Sequence, residues 1–116
     1  MSQGRLLLTG ATGMVGMALT PRLIAEGYQV SVMLRPSSDR SLLANPNVEI
    51  VHGDLAEPET LASAVENMDY VVHAAAHVGD WGPAEKYRQR NVFALEHFVT
   101  AAQRCQVRRW IQISSL

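Results

Sequence analysis

Three glycines, Gly10, Gly13 and Gly16, recur at every third position near the amino terminus and could bind an anion through the main chain. Glycine has no β-carbon, so a ligand can approach its backbone closely. The glycines stand between an apolar run at 5–8 and a segment at 14–26 whose apolar residues share one helical face. The unpaired amides and the dipole at the start of such a helix attract a group such as a pyrophosphate. The sequence therefore predicts an anion-binding turn between a strand and a helix.

The spacing of this turn, G-x-x-G-x-x-G, is a variant of the G-x-G-x-x-G fingerprint that is typical of dinucleotide binding. Glycines alone would also fit a plain connection between a strand and a helix. The context favours the cofactor, because a strand-like segment precedes the turn, a helix follows it, and a second strand-like segment comes next, at 29–34.

Segments typical of strands and helices alternate along the chain, which predicts an α/β fold with a doubly wound parallel sheet of the Rossmann type. Because crossovers between parallel strands are right-handed, we expect the strand order 3-2-1-4-5. We expect one domain over 1–116, with the sheet truncated after its fifth strand. The predicted strands are 5–9, 29–34, 48–52, 70–73 and 110–114, and the predicted helices are 14–26, 57–67 and 84–104, with a helical turn at 41–44.

Composition limits the classes of partner. The chain has 116 residues, of which 47% are hydrophobic and 18% charged, so it can form one globular domain with a core. A net charge of −1 gives no support for a nucleic-acid or membrane partner. A single cysteine, Cys105, and the lack of a signal-peptide pattern favour the cytoplasm. His73 and His77 have a spacing suited to a metal, but no cysteine or acidic cluster joins them, so we expect no metal site.

Five short motifs, taken together and in this order, resemble the extended short-chain dehydrogenase/reductase family. The resemblance is nearest to its dihydroflavonol reductase, hydroxysteroid dehydrogenase and nucleotide-sugar epimerase branches. It implies an NAD(P)-binding oxidoreductase or epimerase that transfers a hydride at a carbinol or carbonyl carbon of a small molecule. It also implies that the chain is the amino-terminal part of a longer protein. The motifs are Thr9-Gly10-Ala11-Thr12-Gly13-Met14-Val15-Gly16, Gly53-Asp54-Leu55, His73-Ala74-Ala75-Ala76, Arg90-Asn91-Val92 and Ile113-Ser114-Ser115.

The resemblance assigns roles to individual residues. It places the cofactor's pyrophosphate at Gly10, Thr12, Gly13, Met14, Val15 and Gly16, its adenine at Asp54 and Leu55, and its path across the sheet at Ala74, Ala75 and Ala76. Asn91 falls to the cofactor side of the active site, and Ser115 becomes the catalytic hydroxyl that bonds the substrate's reacting oxygen. A structural role is open for several of these residues: Asp54 also suits a turn or helix cap, the alanines suit close packing, and Asn91 suits a solvated or capping amide.

One family motif is absent: no tyrosine is followed four residues later by a lysine, and Lys86 is the only lysine. The chain alone is therefore expected to lack turnover. The alternative function is a dinucleotide-sensing regulator without catalysis. A methyltransferase is less favoured, because Arg35 stands where those proteins place an acid after the second strand. The resemblance also implies a homodimer of the full-length protein, formed through the helix at 84–104.

Arg35 bears on which dinucleotide binds, because it lies 19 positions beyond Gly16, where NAD-binding proteins place an acid that bonds the ribose hydroxyls. A guanidinium can instead bond a 2′-phosphate through its planar fork, and Ser37 could add a hydroxyl donor. A loop arginine in water is the plainer interpretation. We predict NADP as the cofactor, with NAD as the alternative.

Overall fold

The computed structural model of the protein describes residues 3–10, 14–34, 48–54, 57–74 and 95–113. The predicted turn at 41–44, the loops on either side of it and the first part of the predicted helix 84–104 lie outside these residues. In chain order the elements are β1 (Arg5–Thr9), α1 (Met14–Ala25), β2 (Gln29–Leu34), β3 (Glu49–His52), a 3-10 turn (Pro58–Thr60), α2 (Leu61–Val65), β4 (Tyr70–His73), α3 (described over 95–104) and β5 (Arg109–Gln112).

The five strands form one parallel sheet in the order β3-β2-β1-β4-β5, which confirms the predicted topology. The central strand, β1, pairs with β2 on one side and with β4 on the other, and Thr9 is in register with Met33 and with His73. Because all five strands run the same way, their carboxyl ends meet at a single edge of the sheet. The strand order reverses between β1 and β4 at that edge.

Helices cover the two faces of the sheet over two separate clusters of apolar side chains. On one face, α1 packs over the side chains of Leu6, Leu8, Val30, Val32, Leu34 and Val72. On the other, α2 and α3 pack over the sheet in a cluster of Leu7, Met33, Leu61, Ala64, Val65, Met68, Val71, Phe98 and Ala102. Leu7 and Leu8 are each 0% exposed, as expected for a central parallel strand that is buried on both faces. No helix in the described part of the chain is long and apolar enough to cross a membrane.

The first helix ends at Ala25, one residue before its predicted end at 26, and Gly27 follows just beyond it. Gly27 has a φ of 97°, which favours glycine, and its amide donates to the carbonyl of Ile24 at 3.0 Å. The amide of Tyr28 donates to the carbonyl of Leu23 at 3.1 Å, which completes a Schellman motif. The chain is thereby turned directly into β2.

The helix predicted over 57–67 was wrong at both ends. Its first turn is a 3-10 turn, because the Thr60 amide donates to the Glu57 carbonyl at 3.0 Å and the Thr60 hydroxyl donates to the same carbonyl at 2.7 Å. The helix proper ends at Val65, and Asn67 takes a left-handed φ of 64° that leads into β4. β3 and β5 are also shorter than predicted, at Glu49–His52 and Arg109–Gln112.

Asp69 joins the amino ends of three strands. Its amide donates to the Arg5 carbonyl at 2.8 Å, and its carboxylate accepts the Arg5 amide at 2.9 Å. Its carbonyl accepts the Arg108 amide at 2.8 Å, which fixes the start of β5. One residue therefore connects the amino ends of β1, β4 and β5.

Candidate functional site

The carboxyl ends of β1 and β4 lie where the strand order reverses, because β2 pairs with β1 on one side and β5 pairs with β4 on the other. Thr9 ends β1 and His73 ends β4, and the two residues are direct partners in the parallel ladder. Gly10 and Ala74 come next in the chain, so two of the predicted cofactor residues follow neighbouring strands. Ligands of open α/β sheets bind outside the carboxyl ends of the strands at such a reversal of strand order.

Gly10 has a φ of 73°, in the left-handed region that a β-carbon makes costly. The chain must pass from the end of β1 to the first residue of α1 within four positions, 10–13, and this backbone angle begins that turn. Gly16 is buried inside α1, and its carbonyl accepts the Thr20 hydroxyl at 2.7 Å. A buried glycine there suits close packing of the helix on the sheet, as the third glycine of a dinucleotide turn does.

A buried hydrogen bond joins the side chains at the ends of β1 and β4. The Thr9 hydroxyl oxygen lies 2.7 Å from His73 Nδ1, and the two side chains belong to residues 64 positions apart. Thr9 is 0% exposed and His73 is 5% exposed, so solvent does not compete for the bond. Either partner can donate, depending on the imidazole tautomer.

Aromatic rings hold the His73 imidazole in place. The ring of Phe98 is perpendicular to it, with centroids 5.5 Å apart, and the ring of Trp110 is tilted, at 5.7 Å. Phe98 and Trp110 also contact each other edge to face, at 4.9 Å. Burial among these groups lowers the pKa of His73, because the charged imidazolium would lose its hydration. The side chain is accordingly neutral at physiological pH.

Three backbone amides continue the hydrogen bonding between parallel strands just beyond the strand ends. The Ala74 amide donates to the Thr9 carbonyl at 3.3 Å, and the Ile113 amide donates to the His73 carbonyl at 3.0 Å. The Gly53 amide donates to the Leu34 carbonyl at 3.0 Å. The backbone that leads from these strands into the candidate site is therefore fixed at its first residue.

Asp54 lies two residues beyond the end of β3, and its main chain is held in a tight turn. Its carbonyl accepts the Glu57 amide at 2.9 Å, and its own amide donates to the Thr60 hydroxyl oxygen at 2.9 Å. Just before it, Gly53 packs so closely that an added β-carbon would lie 2.8 Å from the Met33 sulfur. The turn that the sequence allowed at Asp54 is thus present, and it leaves the half-buried residue at the same sheet edge as Gly10.

The described residues cover part of the predicted site. Gly10, Gly16, Asp54 and Ala74 lie at the carboxyl edge, and Met14 and Val15 begin α1. The remaining predicted residues lie outside the described part of the chain, and they are Thr12, Gly13, Arg35, Ser37, Leu55, Ala75, Ala76, Asn91 and Ser115. Sequence reasoning gave no site role to Thr9 or His73, although a polar residue at the end of each of two buried strands was a usable signal.

The arrangement fits a dinucleotide. A left-handed glycine follows β1, helix α1 begins four residues later, and a small residue, Ala74, follows the neighbouring strand. Such a cradle lets a pyrophosphate approach backbone amides closely. Within the residues that the structure describes, no group of three or more histidine, cysteine or acidic side chains could hold a metal ion.

Comparison with known proteins identifies the family: residues 10–116 match the model of the NAD(P)H-binding family, so the chain belongs to that family. A 3 beta-hydroxysteroid dehydrogenase/Delta 5-->4-isomerase from Mycobacterium tuberculosis is 36% identical over 97% of this chain and 32% of its own length. An epimerase, Mth375, from Methanothermobacter thermautotrophicus superposes with a TM-score of 0.80 and 29% identity, over 98% of this chain and 36% of its own.

A third similar protein carries a ligand. It is a short-chain dehydrogenase/reductase superfamily protein from Agrobacterium tumefaciens with bound NAD, which has a TM-score of 0.74 and 32% identity over 96% of this chain and 32% of its own. The chain thus spans about a third of the length of each of these relatives. The relatives are dehydrogenases and epimerases, so the family is one of NAD(P)-binding oxidoreductases and epimerases.

The lowered pKa of His73 makes stability depend on pH. The unfolded chain has an ordinary imidazole pKa of about 6.5 and takes up a proton before the folded chain does. The free energy of unfolding should therefore fall as the pH drops below that value, by at most about 1.4 kcal/mol per pH unit, and level off below the folded pKa. Urea unfolding between about pH 7.5 and about pH 5.5 measures this fall.

Two variants isolate the contribution of His73. His73→Phe keeps a ring beside Phe98 and Trp110 and should lose this part of the pH dependence. His52→Gln, which removes an exposed histidine at the end of β3, should keep it. Equal slopes for wild type and His73→Phe would show that His73 does not titrate as described.

Proposed function

We propose that the protein binds NADP(H) across the carboxyl ends of β1 and β4. We further propose that the full-length protein is an oxidoreductase or epimerase that transfers a hydride at a carbinol or carbonyl carbon of a small molecule. The observation that carries the proposal is the left-handed Gly10, placed directly after a buried central strand where the strand order reverses. The family match and the dehydrogenases and epimerases among the relatives support the same class of reaction.

In this proposal the dinucleotide supplies the hydride, and the chain binds and orients it. The turn that begins at Gly10 and the start of α1 hold the pyrophosphate through backbone amides, aided by the helix dipole. Asp54 and Leu55 border the adenine, Arg35 and Ser37 hold the 2′-phosphate, and the alanines 74–76 leave room for the dinucleotide over the sheet. Asn91 lies beside it, and Ser115 donates to the reacting oxygen of the substrate.

Replacing Gly10 with alanine should weaken dinucleotide binding by about 5- to 30-fold. The added β-carbon disfavours the left-handed backbone by about 1–2 kcal/mol, and binding must restore that conformation. Titration calorimetry with NADP measures the change.

Gly27→Ala is the matched control, because Gly27 is also left-handed, at a φ of 97°, but lies at the far end of α1. It should lose stability and keep its affinity for NADP. If Gly27→Ala weakened binding as much as Gly10→Ala, the turn after β1 would not be the binding element.

Replacing Arg35 with aspartate should reverse the cofactor preference. Loss of a charge-assisted bond worth about 1.5–3 kcal/mol corresponds to about 10- to 150-fold weaker NADP binding, while NAD affinity should hold or rise. Arg108→Asp makes the same charge change at the other edge of the sheet, on an exposed side chain, and should leave the ratio of the two affinities unchanged. Tighter binding of NAD than NADP by the wild type would refute the assignment.

The alternative function is a dinucleotide-sensing regulator without catalysis, and the lack of a tyrosine–lysine pair within these 116 residues is compatible with it. A positioned acid or base contributes about 10²–10⁴-fold in rate, so its absence separates the two functions kinetically. Turnover of alcohol or sugar-nucleotide substrates by the full-length protein would favour the enzyme. Dinucleotide binding without any turnover would favour the sensor.

We also propose that the full-length protein forms a homodimer through α3. Phe98 and Ala102 of this helix are buried in the chain's own core, which leaves the half-buried Leu95 and Val99 available to a second copy. Sedimentation of the full-length protein tests this proposal, since a strictly monomeric protein at high concentration would contradict it.

A further inference from the structure

The Thr9–His73 hydrogen bond lies immediately before the turn on which the proposed function rests. We propose that His73 is a positioning residue: it fixes the Thr9 hydroxyl and, through Thr9, the backbone that enters the dinucleotide-binding turn at Gly10. His73 would act through Thr9 and would not itself touch the dinucleotide. This inference rests on the proposed function, and its test includes a measurement that needs no ligand.

A backbone bond and a side-chain bond link Thr9 to the end of β4. The backbone bond, from the Ala74 amide to the Thr9 carbonyl, is 3.3 Å long, beyond the usual range for an amide and a carbonyl. The side-chain bond to His73 is 2.7 Å long and fully buried. Of these two bonds the side-chain bond is the shorter, so it is the closer link between the end of β4 and the residue next to Gly10.

The His73 ring is itself immobilised, which is what a positioning residue requires. Phe98, on α3, and Trp110, on β5, contact the ring from two other elements. Its backbone carbonyl accepts the Ile113 amide at 3.0 Å, so the chain that leaves β5 holds its main chain as well. The imidazole therefore connects α3 and β5, which it contacts through Phe98 and Trp110, to the end of β1, which it contacts through Thr9.

The positioning role explains why a polar pair is buried here. Stability alone would not require it, because apolar side chains could fill the same space. Two apolar side chains of the same shape could fill the space with little loss, because a hydrogen bond contributes little net stability once both partners are replaced. An apolar pair would not fix the rotation of the residue before the turn, whereas a short directional bond does.

Four single substitutions distinguish a role in positioning the turn from a role in the stability of the fold. Thr9→Val keeps the shape of the side chain and His73→Phe keeps an aromatic ring, and both remove the bond. Thr9→Ser and His73→Asn instead keep a polar atom in reach. Thr9→Val and His73→Phe should each bind NADP about 3- to 10-fold more weakly, and Thr9→Ser and His73→Asn should bind nearly as wild type. The double variant Thr9→Val/His73→Phe should be no weaker than either single variant, since both remove the same bond.

Thermal unfolding should rank the His73 variants in the opposite order. His73→Asn loses the ring contacts with Phe98 and Trp110 and should melt lower than His73→Phe. A purely structural role would make affinity follow melting temperature, with His73→Asn the weakest binder, and that result would overturn the proposal. Asp69→Ala is the matched control, because it removes a bond between the same two strands at their other ends and should lower stability without changing affinity.

Amide hydrogen exchange at Gly10, measured without ligand, tests the positioning role of His73 independently of the proposed function. Exchange at Gly10 should speed up in Thr9→Val and His73→Phe and stay near wild type in Thr9→Ser, His73→Asn and Asp69→Ala. If the wild type bound neither NADP nor NAD, the proposed function would fail, and the exchange rates would still decide whether His73 positions the turn. Unchanged exchange in His73→Phe would refute the positioning role.

Discussion

The parallel pairing of β1 with β4 is the constraint on which the rest of the structure depends. β1 lies at the centre of the sheet, and its Leu7 and Leu8 side chains are buried on opposite faces. Leu7 belongs to one apolar cluster and Leu8 to the other, and every helix with described side chains packs against one of these two clusters. Since the strand order reverses at this pair, the same pairing that builds the core also places Gly10 at the point of reversal.

The two ends of the β1–β4 pair are fastened by different chemistry. At the amino ends, far from the glycine turn, the Asp69 carboxylate and main chain bond Arg5. At the carboxyl ends, a buried side-chain pair, Thr9 and His73, takes that place. The strand pair is thus held at both ends, and Gly10, with its left-handed φ of 73°, follows directly after the carboxyl end of β1.

The sequence predicted those parts of the fold that depend on local pattern. The bounds of β1, β2 and β4 were predicted to the residue, because each is a short apolar run between turn residues, and the handedness of crossovers then fixed the strand order. The region around Thr60 was mispredicted, because a hydroxyl that bonds nearby carbonyls favours a 3-10 turn over the first turn of an α-helix. Residue type alone does not show that competition.

In the candidate site, too, some features depend on local sequence pattern and others depend on the fold. Gly10 and Gly16 could be predicted as site residues because their spacing is local. Their backbone angle and burial suit the predicted turn, and their role in binding stays a prediction. The Thr9–His73 bond joins residues 64 positions apart, so it becomes visible only when the strand register is known. The roles of Arg35, Ser37, Asn91 and Ser115 stay predictions, since these residues lie outside the described part of the chain.

The most direct test of the central claim is an amide chemical-shift titration of the isotope-labelled protein with NADP. If the dinucleotide binds across the carboxyl ends of β1 and β4, the amides of Gly10, Gly16 and Ala74 should shift together and saturate with one affinity. The amides of Gly4, Gly27 and Asp69, at the opposite edge, should stay in place. Shifts confined to that opposite edge, or none at saturating NADP and NAD, would contradict the account.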